Sequence, residues 1–339
     1  MELTKLDAEN NSAPLTFKQH NFKDRSPMKK HLRIAYSYRK SLAHYAKERL
    51  HISVILLLLF LLFTTTNIIA QTTAYTVKDI KFKSKGIELS GTIFNALNSK
   101  IGIVLVHGSG QELRYSEFAA QLAKKGISVL TYDKRGVGES GGEYAGPEVG
   151  TNNIDSANLN LLAEDANAAV LTLKNYFGQK LTYTGLLGFS QAGWIIPLAS
   201  IKSNKVDFTV IFSGAVVPTL EQLRFQFFTE GKANFWTDHT EQEVRDHIRN
   251  APDKYKFITT DPQVSLSSTD TPGLWLFGGQ DVQIPVGLSI DHLNLLKIEG
   301  KPFEYCLFPE MGHFLTASDS SAPIKIALNW IKNLNEKTR

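Results

Sequence analysis

The chain has 339 residues, with 37 Lys+Arg against 33 Asp+Glu, a net charge of +4 and 42% hydrophobic residues. This is a globular composition, long enough for one large domain or two ordinary ones, and it excludes disordered and fibrous classes. The single cysteine, Cys306, excludes an intrachain disulfide framework and a cysteine-built zinc cluster. The basicity is local. Residues 1–50 carry 11 Lys+Arg and 5 Asp+Glu, which leaves 26 basic and 28 acidic residues in the remainder. The bulk of the chain is slightly acidic and has no electrostatic reason to seek nucleic acid.

The N-terminal stretch reads as an export signal. No Lys, Arg, Asp or Glu occurs from Leu50 to Val77, and Ile55–Phe63 is an unbroken apolar run. Lys29, Lys30, Arg33, Arg39, Lys40, Lys47 and Arg49 lie upstream, and small residues follow. A basic flank, a short apolar core and a small-residue site make a secretory signal, with cleavage expected after Ala70. The core Ile52–Phe63 is shorter than the roughly 20 residues a spanning helix needs. Counting on to Ala70 approaches that length, so an anchor at 52–70 is the alternative. Met28-Lys29-Lys30 reads as a more natural start than Met1. The expected division is a leader over 1–70 and one domain over 71–339, exported to the periplasm or secreted. Membrane contact is expected only through the leader.

The mature segment opens with two alternating stretches, Tyr75–Ser84 and Ile87–Ala96, around Lys85-Gly86, which predict an antiparallel hairpin. Ile101–Val106 is a short apolar run suited to a strand buried on both faces. Ser116–Lys125 has helical spacing and stops at Gly126, and Ile127–Tyr132 is the next buried strand. Glu139–Leu161 is rich in Gly, Asn and Ser and reads as a long loop. A helix over Ala163–Phe177, a strand over Leu181–Leu187, a helix over Ala192–Ile201 and a strand over Phe208–Phe212 follow. The alternation implies a mostly parallel, doubly wound α/β sheet with right-handed crossovers. It breaks at about 218–268, a helical, aromatic stretch that reads as an inserted cap. Thr240 and Glu243 there have capping-box spacing. Leu274–Phe277 resumes the sheet, followed by a helix over Leu288–Leu296, a strand over Phe303–Phe308 and a closing helix over Pro323–Leu334.

Gly188-Phe189-Ser190-Gln191-Ala192-Gly193 falls between a strand and a helix. Small residues two before and two after a serine permit the sharp strand–turn–helix that lifts its Oγ above the sheet. The same string also fits an ordinary βα turn. Two further loops favour the chemical reading. Asp281 follows the strand Leu274–Phe277, and His313 follows Phe303–Phe308, both at the strand ends where open α/β sheets bind ligands. The order Ser190, Asp281, His313 is the hydrolase order, with His313 taking the serine proton and Asp281 holding its tautomer. Asp270 and Asp291 are weaker rivals, one before the strand and one inside a helix. Val106-His107-Gly108-Ser109-Gly110 follows the first buried strand. A backbone N–H there, from Ser109 or nearly as well Gly110, can meet the oxyanion with that of Gln191. His107 reads as a brace for this loop. Tyr132–Ser140 lacks dinucleotide and P-loop spacing and reads as a rigid turn. No paired-histidine spacing points to a metal.

These strings resemble the α/β-hydrolase superfamily over about Tyr75–Leu334. Within it the chain looks like bacterial secreted hydrolases near the dienelactone hydrolase, acyl-transferase and prolyl-oligopeptidase-like branch. The matching strings are Val104–Gly110, Tyr132–Gly142, Gly188–Gly193 and Gly312-His313. The resemblance implies an α/β-hydrolase fold with an N-terminal antiparallel hairpin and a small helical cap, and cofactor-free chemistry. It also implies Ser190 as nucleophile, Asp281 as acid and His313 as base. Relatives often differ at Phe189 and around Gln191-Ala192, which reshapes the pocket floor. The expected activity is hydrolysis of a small-molecule carboxylic ester through an acyl-enzyme. A peptidase, amidase or thioesterase on the same triad, and a non-catalytic binding protein on this fold, are the alternatives. Phe189, Phe228 and Trp236, with Gly110, are the expected substrate-pocket residues.

Overall fold

The computed structural model describes residues 39–40, 74–252, 255–316 and 322–337. The export signal and its alternative anchor at 52–70 lie outside the described residues. Among the described residues, no helix is long and apolar enough to cross a membrane.

The chain enters the fold through the expected hairpin, β1 (Tyr75–Ser84) and β2 (Ile87–Ala96). Its two-residue turn has both members in the left-handed region, Lys85 at φ 48° and Gly86 at φ 82°. That twist matches the twist of paired strands. The mainly apolar stretches become β3 (Ile101–Val106), β4 (Ser128–Tyr132), β6 (Phe208–Phe212) and β7 (Gly273–Gly278), every residue of them buried. With β5 (Tyr183–Phe189) and β8 (Phe303–Phe308) they complete an eight-stranded sheet ordered β1-β2-β4-β3-β5-β6-β7-β8. Pairing is antiparallel for β1–β2 and β2–β4 and parallel from β4 onward.

The strand order reverses at β3. From β3 the chain passes to β4 on one side, then crosses to β5 on the other. Val106 and Gly188, at the carboxyl ends of β3 and β5, are register partners. The loops that follow these two strands therefore open side by side at the crevice where such sheets bind ligands.

Helices α1 (Ser116–Lys124) and α4 (Ala192–Lys202) lie close to their expected limits. The long loop expected through Leu161 is shorter than that. A single turn, α2 (Thr151–Ile154), leads into α3 (Ser156–Phe177), which starts seven residues before the expected Ala163. Asp155 caps it, accepting from the Ala157 N–H at 2.8 Å. Asn158 and Asn160 turn their side-chain amides back onto the Asn153 and Ser156 carbonyls, so an asparagine-rich segment is held helical.

The inserted segment contains α5 (Thr219–Thr229), α6 (Phe235–Asp238), α7 (Glu241–Asn250) and α8 (Pro262–Ser267). Thr240 and Glu243 form the expected reciprocal capping box. Phe225, Phe235, Val244 and Ile248 make a small core separate from those on the two sheet faces. Helices α9 (Val286–Ile298) and α10 (Ala322–Lys337) complete the fold.

One buried ion pair ties the turn after β4 to α3. Arg135 Nε donates to Asp165 Oδ2 at 2.9 Å, and Arg135 Nη2 bonds the other carboxylate oxygen and the Ser84 carbonyl. Burial pushes the Asp165 carboxyl above its ordinary range, against the opposing pull of Arg135. Losing one partner of such a pair leaves a buried charge without compensation. Asp165→Leu is expected to lower unfolding free energy by about 3–5 kcal/mol, and Arg135→Met/Asp165→Leu to restore most of it. Urea denaturation of both variants measures the difference.

Candidate active site

The elbow between β5 and α4 is built by sterics. Ser190 has φ 51°, a left-handed backbone that an L-residue adopts only when its surroundings impose it. Its N–H donates to the Phe212 carbonyl at 2.9 Å, and its own carbonyl accepts from Gly193 at 2.9 Å. A Cβ at Gly188 would collide with that of Ala192, and one at Gly193 would lie 2.7 Å from the Ala215 carbonyl oxygen. The small residues are requirements of the turn, as the string implies.

The loop after β7 carries Asp281, only 1% exposed. Its Oδ1 accepts from the N–H groups of Gln283 (2.7 Å) and Ile284 (3.1 Å). Its Oδ2 lies 2.7 Å from His313 Nδ1. That partner assigns the proton to Nδ1 and leaves Nε2 as an acceptor. The His313 carbonyl is held in turn by Ser213 Oγ, which donates at 2.6 Å from the end of β6. Ser190 and His313 line one cavity of about 890 Å³. Among the described residues no hydrogen bond joins Ser190 Oγ to His313. Such contacts commonly tighten only when substrate fills the site. Asp270 and Asp291 are engaged elsewhere, with Lys301 and Arg245.

The loop after β3 also reaches the cavity, through Ser109. The backbone N–H groups of Ser109, Gly110 and Gln191 donate no hydrogen bond among the described residues. His107 braces the loop as expected. Its Nε2 lies 2.6 Å from the Tyr132 carbonyl and its ring packs edge-on to the Tyr132 ring. Burial, aided by the charge of Lys134, pushes its pKa down to about 3. The Tyr132–Ser140 turn is held by a set of internal hydrogen bonds and by Arg114. Asp133 accepts from Arg114 Nη2 (2.7 Å) and the Glu139 N–H (3.0 Å), and its carbonyl accepts from Ser140 Oγ (2.6 Å).

Phe189 sits on the cavity wall, stacked on Phe212 at 5.5 Å and met edge-on by Tyr115 and Phe118. These three neighbours are not evident from the sequence because they come from the start of α1 and the end of β6, far from Phe189 along the chain. Phe228 and Trp236 do not join them. Phe228 stacks on His247 at 4.0 Å inside the cap, and Trp236 packs on Phe225 and Phe235. The indole N–H of Trp236 donates to the Asp281 carbonyl at 2.8 Å, so it supports the Asp281 loop rather than the cavity wall. Thr229 and Gln222 bond the next two carbonyls, of Val282 and Gln283. The polar side of the cavity carries Glu112, Glu148, Gln226 and Gln283. Among the described residues, no three His, Cys, Asp or Glu side chains converge as a metal site.

Sheet, elbow and loops define an α/β-hydrolase. A family model described as serine aminopeptidase, S33, matches residues 98–273. The chain belongs to this family, and it is a serine hydrolase of the α/β-hydrolase fold. Among solved structures it is similar to an esterase of Pyrococcus furiosus, with TM-score 0.56 and 17% identity over 78% of this chain and 92% of that one. It is also similar to an acylaminoacyl peptidase of Pyrococcus horikoshii, with TM-score 0.56 and 16% identity over 79% of this chain. The shared part is 43% of the peptidase's length. No curated protein matches the chain.

The buried neutral imidazole of His107 gives a signed pH prediction. The unfolded imidazole takes up its proton near its ordinary value of about 6.5. The folded one refuses it until about pH 3. Between these values the unfolded state binds more protons, so stability falls as pH drops. The thermal midpoint is expected to decline from pH 6.5 toward pH 4, and His107→Gln to flatten that slope in matched scans.

Proposed function

We propose that the protein hydrolyses carboxylic esters through an acyl-enzyme formed on Ser190. The observation that carries this reading is the His313 imidazole, held by a buried carboxylate and facing the cavity onto which the strained Ser190 turn opens. Ser190 Oγ attacks the ester carbonyl while its proton passes to His313 Nε2. Asp281 steadies the resulting imidazolium without taking the proton itself. The carbonyl oxygen becomes an oxyanion and is received by the N–H groups of Ser109 and Gln191. As the tetrahedral intermediate collapses, the C–O bond to the alcohol breaks and the alcohol leaves with the His313 proton. Water, deprotonated by the same imidazole, then attacks the acyl-enzyme and releases the acid. The aromatic wall around Phe189 suits an apolar acyl chain, and the likeness to an esterase over nearly its whole length supports the same choice.

A peptidase reading has a specific observation in its favour. The family carries an aminopeptidase description, and Glu112 and Glu148 line the cavity with carboxylates suited to a substrate amine. We further propose that residues 1–70 direct export, as the basic flank and apolar core suggest. N-terminal sequencing of secreted material is expected to begin at Gln71.

On p-nitrophenyl butyrate, Ser190→Ala is expected to lower kcat by about 10⁶-fold and Asp281→Asn by about 10⁴-fold. Full activity in Ser190→Ala overturns the mechanism. Aminoacyl p-nitroanilide turnover matching ester turnover favours the peptidase reading. Phe189→Ala is expected to move the preferred acyl length by two or more carbons across a p-nitrophenyl ester series. An unchanged series places the acyl chain elsewhere.

A further inference from the structure

We infer that Lys134 is a positioning residue for the oxyanion hole, clamping the loop after β3 from behind together with Tyr144 and Asn153. The inference rests on the ester-hydrolase reading above.

Lys134 lies in the Tyr132–Ser140 turn and is only 2% exposed. Its ammonium makes no hydrogen bond to a carboxylate among the described residues. Nζ donates instead to the carbonyls of Gly108 (2.6 Å) and Gly110 (3.3 Å) and to Gln191 Oε1 (3.0 Å). Burying an ammonium among neutral acceptors is costly. Burial pushes its pKa down to about 8, with Glu112 and Glu148 pulling the other way. Every acceptor it takes belongs to the oxyanion loop or to the residue after Ser190.

Peptide geometry converts these contacts into a function. In a trans peptide the C=O and the N–H of the next residue point in opposite directions. Holding the Gly108 carbonyl on Lys134 therefore turns the Ser109 N–H away from Lys134. The loop runs close to Ser190, since a Cβ at Gly108 would lie 3.8 Å from the Ser190 Cβ. The same device repeats one residue on. The Ser109 carbonyl accepts from Tyr144 Oη (2.7 Å) and Asn153 Nδ2 (2.9 Å), which fixes the Gly110 N–H.

The network then crosses to the other donor. Gln191 Nε2 donates to the Asn153 carbonyl at 3.0 Å and also bonds Asn153 Oδ1, while Gln191 Oε1 accepts from Lys134. One buried set of hydrogen bonds thus sets the spacing between the Ser109 and Gln191 N–H groups. An oxyanion hole works only if its donors are aimed before charge develops. A lysine beneath the loop does this without touching substrate.

The test is steady-state kinetics of the full chain on p-nitrophenyl butyrate, with Ser190→Ala in parallel. Lys134→Met keeps the length and removes the donors. Its kcat is expected to fall about 100-fold, the scale of losing one oxyanion donor, with KM within about 3-fold. Affinity for an alkyl trifluoromethyl ketone, which forms a charged hemiketal with Ser190, is expected to fall by the same factor as kcat/KM. A folded Lys134→Met with unchanged kcat, or with only KM raised, overturns the inference. Should Lys134→Met not fold, Tyr144→Phe carries the test. It removes one donor to the Ser109 carbonyl, and a kcat loss of about 10-fold at constant KM supports the clamp. Unchanged kcat in Tyr144→Phe overturns it. If Ser190→Ala itself retains activity, the ester-hydrolase reading fails, whatever Lys134 does.

Discussion

Ser190 holds a backbone that a residue with a Cβ avoids, at a cost of about 1–3 kcal/mol. The surrounding structure is arranged to impose it. β6 supplies the Phe212 carbonyl that fixes the Ser190 N–H, and Gly188, Ala192 and Gly193 leave room for α4 to start immediately. The neighbouring strand ends in the same way. Ser213, just after β6, has φ 49°, and its hydroxyl holds the His313 carbonyl. Two adjacent strands thus end in left-handed serines. One presents the proposed nucleophile, and the other fixes the loop of the proposed base.

Much of this architecture was legible because local and tertiary preferences agree. Lys85-Gly86 allows one kind of hairpin turn, and the limits of β1, β2, β3, β6 and β8 match their sequence patterns. The early start of α3 was masked by asparagines that normally favour loops. Their side chains find acceptors only once Asn153 and Ser156 are in place. Asp281 and His313 could be brought together from the sequence because each follows a strand of the sheet, the buried β7 and its neighbour the edge strand β8, where topology fixes the destination. The cavity wall could not, because Tyr115, Phe118 and Phe212 meet Phe189 only through the sheet order. Aromatic composition likewise says nothing about direction. Phe228 and Trp236 turn into the cap's own core.

The Tyr132–Ser140 turn shows how one segment can serve several parts of a molecule. Asp133 binds Arg114, Lys134 reaches the loop after β3, and Arg135 pairs with Asp165 on α3. Three consecutive side chains leave in three directions. A rigid turn is the sequence-level signature of such a junction, but spacing does not reveal where each arm ends.

The loop of Asp281 has little regular structure of its own to satisfy its backbone. Three consecutive carbonyls, of Asp281, Val282 and Gln283, take their donors from Trp236, Thr229 and Gln222. The inserted helices therefore splint the loop of Asp281, the proposed acid. A chain trimmed of them would leave three peptide groups stranded beside the carboxylate. Changes in this insert during divergence are thereby constrained on the side that faces Asp281 and freer on the side that faces solvent.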